Sequence, residues 1–286
     1  MSFIENQISK IKNSGTYLFY GDDNSRNLEE ALKFTELLFL KDTDDENLKH
    51  SISRRILNNT LVDFYIYDTL SIDDARDLKN KVYSSPNELN KKVFIIKDIN
   101  NLRKEASNAL LKILEEPSEN NYFILLSKNL NVLPTIKSRS ITYHIKKLTP
   151  EELGVDKYVY DFFVGESKDI IEYKKNNLKI NYEQSYNNIF NIIKEYEKNE
   201  ILENKIKMYL ALRNYVVESD NLKIHEKINF AENIFYAYSN KETLNLIVSY
   251  FVNLIKNQSF LKDKLLLKKM LRYPVNYKNL LINLFI

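Results

Sequence analysis

Short apolar runs alternate with helical stretches through the first half of the chain, and this alternation limits the possible folds more than any other feature. The clearest example is a continuous apolar run over residues 93–96, then a helical stretch, then a second apolar run over residues 122–126. Runs that are apolar throughout are typical of strands buried on both faces of a parallel sheet. Because parallel strands separated by helices need crossover connections, the pattern predicts an α/β fold.

Five strands are predicted in this half, with helices between them. They lie at residues 17–20, 64–67, 93–96, 122–126 and 141–145, the last with alternating apolar residues and less burial. Helical spacing predicts helices over residues 28–39 and 73–83, and Ser71 is a suitable N-cap for the second. The acidic residues 42–46 predict a solvated loop. We therefore expect a five-stranded parallel sheet with flanking helices over residues 1–147.

The second half of the chain shows a different pattern. Thr149 and Pro150 together predict the start of a helix, and no strand pattern recurs after them. Apolar residues repeat at helical spacing in several stripes, for example over residues 244–255. We therefore expect an all-α part, divided into a small helical segment over residues 148–181 and a larger helical domain over residues 182–286.

Composition excludes several classes of chemistry. The chain has no cysteine, which rules out disulfides, cysteine-ligated zinc and thiol catalysis. Its histidines, His50, His144 and His225, are far apart and lack metal-ligand spacing, so no metal site is predicted. No apolar run approaches the ~18 residues of a membrane span, and we expect a cytoplasmic protein without membrane contact. The net charge of +3 is too balanced to indicate nucleic-acid binding by itself.

Four short motifs follow one another in the middle of the chain. They are Asn108-Ala109-Leu110-Leu111-Lys112, Leu114-Glu115-Glu116-Pro117, Leu133-Pro134-Thr135-Ile136 and Ser138-Arg139-Ser140. With this order and spacing, the chain resembles the clamp-loader branch of the AAA+ superfamily, and within it the delta-prime family of bacterial DNA polymerase III subunits. The family has Ser-Arg-Cys where this chain has Ser140 in third position. The resemblance also implies that residues 148–181 form a lid and residues 182–286 an oligomerisation collar.

The resemblance implies a catalytic role for Arg139. In the family, the arginine of the last motif projects from a loop into the ATP site of a neighbouring subunit, as an arginine finger. Guanidinium suits this role because it is permanently charged and can bond two phosphate oxygens together. The other positions implied at the subunit interface are Pro134, Thr135, Ser138, Glu115, Glu116 and Pro117. An ordinary solvated arginine on a surface loop remains the alternative.

The chain's own nucleotide site is predicted to be degenerate. A phosphate loop needs Gly-x-x-x-x-Gly-Lys-Ser/Thr after the first strand. In that position the chain has Gly21, Asp22 and Asp23, and the eight-residue stretch ends at Leu28 without the second glycine or the lysine. Active relatives hold Mg²⁺ with Asp-Glu after the third strand, where this chain has Lys97 and Asp98. We therefore expect a polar turn in place of the loop, with no bound cofactor and no metal.

The resemblance then implies a non-hydrolysing, delta-prime-like subunit of the DNA polymerase III clamp loader. Its partners would be a motor ATPase and a delta-like subunit, with the sliding clamp contacted indirectly and primer–template DNA bound by the assembled complex. Two alternatives stay open: an active gamma/tau-like motor ATPase, and a DNA-binding accessory module. The missing glycine–lysine pair and Lys97 argue against the first, and salt-dependent DNA binding would support the second.

Overall fold

The computed structural model describes residues 14–115, 118–180, 184–255, 258–271 and 273–286. The first half of the chain is an α/β module. Its strands are β1 (Gly15–Tyr20), β2 (Phe64–Tyr67), β3 (Lys92–Ile96), β4 (Asn121–Ser127) and β5 (Ile141–His144). Its helices are α1 (Asn24–Leu40), α2 (Glu46–Leu57), α3 (Ile72–Tyr83), α4 (Lys104–Glu115) and α5 (Pro134–Ser138).

The strands form one parallel sheet in the order β2-β3-β4-β1-β5. Strands β3 and β4 are buried along their whole length, as continuous apolar runs predict. Strand β5 lies at the edge, pairs with β1, and has Tyr143 buried but Ile141 exposed. The predicted five-stranded parallel sheet with flanking helices is confirmed.

The sheet has an apolar core on each face. On one face, Tyr17 and Phe19 of β1 pack with Phe34 of α1 and Ile52 of α2. On the other face, a second core gathers side chains of β1, β3 and β4 with α3 and α4, including Leu18, Phe94, Phe123, Leu78 and Leu110. Successive residues of β1 therefore point to opposite cores, as the pleat of a strand requires.

Helix α1 begins earlier than predicted, and α2 is absent from the predicted elements. The solvated loop predicted over residues 42–46 is wrong at its end, because Glu46 is the first residue of α2. The carboxylate of Asp45 accepts hydrogen bonds from the amides of Asn47 and Leu48, which caps the helix. Ile52 and Ile56, one helical turn apart, are then buried against the sheet.

Two predicted helix starts are confirmed in detail. Ser71 Oγ accepts a hydrogen bond from the Asp74 amide at 3.0 Å, and the Asp74 carboxylate accepts one from the Ser71 amide at 2.9 Å. Thr149, which precedes Pro150, forms the same reciprocal pair of hydrogen bonds with Glu152. Each pair satisfies two amides that a helix start would otherwise leave unbonded.

The second half is helical, as predicted. Its helices are α6 (Pro150–Leu153), α7 (Lys157–Phe162), α8 (Ser167–Lys175), α9 (Ile189–Asn199), α10 (Leu202–Glu218), α11 (Ile224–Ala237), α12 (Lys241–Leu254), α13 (Gln258–Met270) and α14 (Tyr277–Phe285). By backbone contacts the chain falls into two compact units: the module as far as Gly154 with Gly165–Lys168, and Val155–Val164 with Asp169–Ile286. None of the described helices combines the length and apolar character needed to cross a bilayer.

Candidate functional site

The connection between β1 and α1 holds the positions of the predicted phosphate loop. Strand β1 ends at Tyr20 and α1 begins at Asn24, so Gly21, Asp22 and Asp23 join them directly. Residues 24–27, which include the positions of the second glycine and the lysine of a phosphate loop counted from Gly21, form the first turn of α1. The short polar turn expected from the sequence is thus what the chain forms here.

The carboxylate of Asp23 caps the start of α1. The residue is 1% exposed, and its Oδ1 accepts a hydrogen bond from the Arg26 amide at 3.0 Å. Its Oδ2 accepts a second one from the amide of Ser167, the first residue of α8, also at 3.0 Å. A helix start favours an anion because its amides are unbonded and its dipole is positive. The carboxylate of Asp23 supplies that anion from within the chain, whereas Asp22 is exposed.

Gly21 is explained by packing rather than by phosphate binding. A Cβ atom at this position would lie 2.2 Å from the carbonyl oxygen of Ile145, so a side chain has no room. Asn27 fixes the same turn, because its Nδ2 donates to the carbonyl oxygens of Gly21 at 2.8 Å and Ser127 at 3.1 Å. The turn is therefore bonded to the end of β4 and closely approached by the segment after β5.

The residues predicted to form a degenerate metal position follow β3. Lys97 forms an ion pair with Asp68 across 2.6 Å, and Asp98 adopts a left-handed backbone with φ of 48°. A lysine at this position opposes a divalent cation, which takes carboxylate and carbonyl oxygens as ligands. Across the described part of the chain, no group of three or more histidine, aspartate or glutamate side chains is placed to hold a metal ion.

A cavity of ≈ 240 Å³ lies at this edge of the sheet. It is lined by Asn24, Ser25, Asn27, Leu28, Lys97, Asp98, Leu126, Ser127 and Lys128. Open α/β sheets bind ligands in the crevice at the carboxyl ends of their strands, and the structure brings Leu28, Lys97 and Asp98 together there. The cavity is smaller than the ~300–1,000 Å³ typical of ligand pockets.

Arg139 follows a short helix rather than lying within a loop, which corrects the sequence-based expectation. Helix α5 begins at Pro134, and Ile136, 1% exposed, anchors it in the core. Ser138 Oγ donates to the Thr135 carbonyl at 3.0 Å, and Ser140 Oγ donates to the Ile136 carbonyl at 2.7 Å. The hydroxyl of Ser140 thus bonds the carbonyl of the middle residue of α5.

The guanidinium of Arg139 has two bonds within the same module. Its Nη1 donates to the Thr135 carbonyl at 3.1 Å, and its Nη2 lies 2.9 Å from Oε1 of Glu115 at the end of α4. The two side chains remain 34% and 50% exposed. Of the other predicted interface positions, Pro134, Thr135 and Ser138 all lie on α5, whereas Glu116 and Pro117 fall outside the described residues.

Arg139 and the degenerate loop lie at opposite ends of the sheet. Ile141 at the start of β5 pairs with Tyr17, and His144 at its end pairs with Tyr20, the residue before Gly21. Arg139 therefore precedes the amino end of β5, and Gly21 follows the carboxyl end of the neighbouring strand. The four residues of β5 separate these ends by roughly 13 Å, at ~3.3 Å per residue.

Sequence reasoning missed two contacts at these positions. Asp23 stands out in the sequence as a charge that repels phosphate, whereas in the structure its carboxylate bonds two amides, one of them 144 residues away. Glu115 belongs to a motif, but its pairing with Arg139 spans 24 residues. The Asp-x-x-Arg spacing was a local signal for the first cap, since N-cap aspartates bond the amide three residues on.

Comparison with known proteins gives a consistent result. The family model for DNA polymerase III, delta subunit, matches residues 1–149. DNA polymerase III subunit tau of Bacillus subtilis is 30% identical over 156 residues, which cover 52% of this chain and 28% of that protein. Subunit delta' of Buchnera aphidicola subsp. Schizaphis graminum is 26% identical over 158 residues, which cover 55% of this chain and 45% of that protein. The chain thus matches less than half the length of these relatives.

A solved structure shares the fold. A DNA polymerase III gamma subunit-related protein from Thermotoga maritima superposes with a TM-score of 0.60 at 18% identity, covering 99% of this chain and 97% of that one. The family match is the more specific of the two findings, because residues 1–149 include all five strands and the helix that precedes Arg139. The chain accordingly belongs to the DNA polymerase III, delta subunit family of clamp-loader subunits.

Proposed function

We propose that this chain is a delta-prime-like subunit of the DNA polymerase III clamp loader that supplies Arg139 in trans. In this proposal the chain does not hydrolyse ATP. It presents Arg139 to the ATP site of a neighbouring motor subunit, where the guanidinium stabilises charge on the transferring phosphoryl group. The assembled complex would place a sliding clamp on primed DNA in the cytoplasm.

The position of Arg139 carries this proposal. Arg139 precedes the amino end of β5, while the chain's own loop follows the carboxyl end of β1. A guanidinium at that end of the sheet lies opposite the end where Gly21 would hold a nucleotide. The Arg139 side chain is 34% exposed and directly follows a helix that Ile136 fixes in the core, which suits a group that must reach another subunit with defined geometry.

Two features support the absence of hydrolysis by this chain. The carboxylate of Asp23 is bonded at the start of α1, where an active family member would bind phosphate. Lys97, paired with Asp68, puts a positive charge at the position that holds Mg²⁺ in active relatives. Phosphate at the start of α1 would therefore meet the carboxylate of Asp23, and Mg²⁺ after β3 would meet the ammonium of Lys97.

Assembly is the second part of the proposal. The expected partners are a motor ATPase and a delta-like subunit, with the clamp contacted through them. Residues 182–286 would form the collar that anchors the subunit, and residues 148–181 the lid. Repeated apolar stripes without a chemical motif support the collar, since a ring of subunits needs an anchor that is independent of nucleotide.

Replacing Arg139 tests the finger. We expect Arg139→Ala to leave the chain folded and to reduce ATP hydrolysis at the affected site of the assembled complex by roughly 10³-fold. Arg139→Lys should fail nearly as badly, because an ammonium lacks the planar fork. Arg76→Ala, which removes another exposed, ion-paired arginine, is the matched control and should have no effect. Unchanged ATPase with Arg139→Ala would overturn the finger assignment.

An active motor ATPase is the second candidate, and the matches to tau subunits favour it. Calorimetric titration of the isolated chain with Mg-ATP separates the two functions. We expect no heat of binding. A dissociation constant at or below ~10 μM, equivalent to about 7 kcal/mol of binding free energy, would favour the motor and contradict the non-hydrolysing role.

A further inference from the structure

The ion pair between Glu115 and Arg139 directs the guanidinium back onto its own subunit. Nη2 of Arg139 lies 2.9 Å from the Glu115 carboxylate, and Nη1 donates to the Thr135 carbonyl at 3.1 Å. A guanidinium has five N–H donors in a fixed plane. These two contacts use one donor on each terminal nitrogen, the nitrogens that a phosphate bound end-on would engage.

Both ends of this ion pair are held by the core. Leu114, next to Glu115, is 4% exposed, and Ile136 of α5 is 1% exposed. Leu114 and Ile136 belong to the same apolar core, so the two side chains start from neighbouring parts of one packed module. Their contact is therefore set by the fold of the α/β module and does not depend on a neighbouring subunit.

A carboxylate and a phosphate compete for the same guanidinium. Each offers paired oxygens that match the arginine fork, and two anions close to one Nη2 would repel each other. We propose that Glu115 is a positioning residue that holds Arg139 on its own subunit until the phosphate of a neighbour's ATP displaces the carboxylate. This inference rests on the proposed function, because it requires Arg139 to act in trans.

The exposure of the Glu115 and Arg139 side chains determines how strongly their ion pair holds the guanidinium. Ion pairs between half-exposed side chains are weak. Breaking this one should therefore change the affinity of the neighbouring site for ATP by roughly two- to fivefold. The pair is broken in both the ATP-bound ground state and the transition state of the complex. Its removal should therefore lower KM for ATP and leave kcat unchanged, as for an interaction that affects both states equally.

Glu115→Gln is the informative variant, since it keeps an acceptor oxygen of the same reach and removes the charge. In the complex reconstituted with the motor subunits of the same source, we expect KM for ATP to fall roughly two- to fivefold with kcat unchanged. Glu105→Gln changes an exposed glutamate in the first turn of the same helix and is the matched control. It should change neither constant.

Combining Glu115→Gln with Arg139→Ala distinguishes an error in the role of Glu115 from an error in the proposed function. If Glu115 acts through Arg139, Glu115→Gln should have no effect on the residual ATPase of the Arg139→Ala complex. An equal effect in both backgrounds, an unchanged or raised KM, or a lowered kcat would each overturn the role of Glu115 while leaving the finger in place. An Arg139→Ala complex with full activity would overturn the proposed function, and the role of Glu115 with it.

Discussion

At the residue scale, Asp23 fixes the turn between β1 and α1 through hydrogen bonds to backbone amides. Asp23 is nearly fully buried, yet both of its oxygens accept hydrogen bonds from backbone amides. Burial of a carboxylate is tolerated when such donors replace water. The buried carboxylate therefore stabilises the start of α1 and the start of α8.

Replacing Asp23 should destabilise the protein measurably. Asp23→Ala removes the acceptor for the amides of Arg26 and Ser167, so we expect a loss of about 2–4 kcal/mol in the free energy of unfolding. Chemical denaturation monitored by circular dichroism measures it. Asp22→Ala removes the exposed neighbouring carboxylate and should change stability by less than about 0.5 kcal/mol. Equal effects of the two substitutions would contradict the capping role.

At the element scale, a buried carboxylate organises the chain between α3 and β3. Asp63, which precedes β2 and is 0% exposed, accepts hydrogen bonds from the amides of Asn87, Glu88 and Leu89 at 2.8 Å. Desolvation raises the pKa of Asp63, but the amide hydrogen bonds of this segment outweigh it and hold the pKa below its ordinary value. The ionised carboxylate is therefore part of the native fold.

This lowered pKa predicts the pH dependence of stability. A depressed folded-state pKa contributes stability above the unfolded pKa of ~3.9, and that contribution is lost as the pH falls through the folded pKa. We expect Asp63→Asn to reduce stability by about 2–3 kcal/mol at neutral pH, and the difference from wild type should shrink at acidic pH. Denaturation at several pH values measures it. Asp44→Asn, at an exposed carboxylate, should show no such convergence.

At the scale of the whole molecule, the helical unit closes a core of its own. Phe162 of α7 packs against Tyr209 and Tyr250, whose rings stack with centroids 3.5 Å apart. Tyr215 Oη donates to the Phe285 carbonyl at 2.6 Å, which joins α10 to the end of α14. These contacts lie within Val155–Val164 and Asp169–Ile286.

A fragment of residues 155–286 should therefore fold and assemble. We expect it to show a helical spectrum with cooperative unfolding, because it retains the partners of Phe162 and Tyr215. If the collar assignment is correct, the fragment should compete with the full chain for the other clamp-loader subunits in a pull-down. The complementary fragment, residues 1–154, is the control and should not compete. A folded fragment 155–286 that fails to compete would show that assembly depends on the α/β module.

Features that depend on residues close in sequence could be predicted. The Ser71 and Thr149 caps were predictable because a cap acts over three residues, and buried strands β3 and β4 were evident as apolar runs. Helix α2 was missed although Leu48, Ile52 and Ile56 repeat at helical spacing, because most of its 12 residues are polar or charged. Helix α5 was missed because five residues are too few to show helical periodicity.

The sequence by itself determined the α/β-then-α order of elements, the absence of a glycine–lysine pair after β1, and the motif that contains Arg139. These depend on residue type and on spacings of a few positions. Tertiary structure alone decided the strand order β2-β3-β4-β1-β5, which makes β5 an edge strand beside β1. It also decided the pairings of Asp23 with Ser167 and of Glu115 with Arg139, since the chain path sets which distant residues meet.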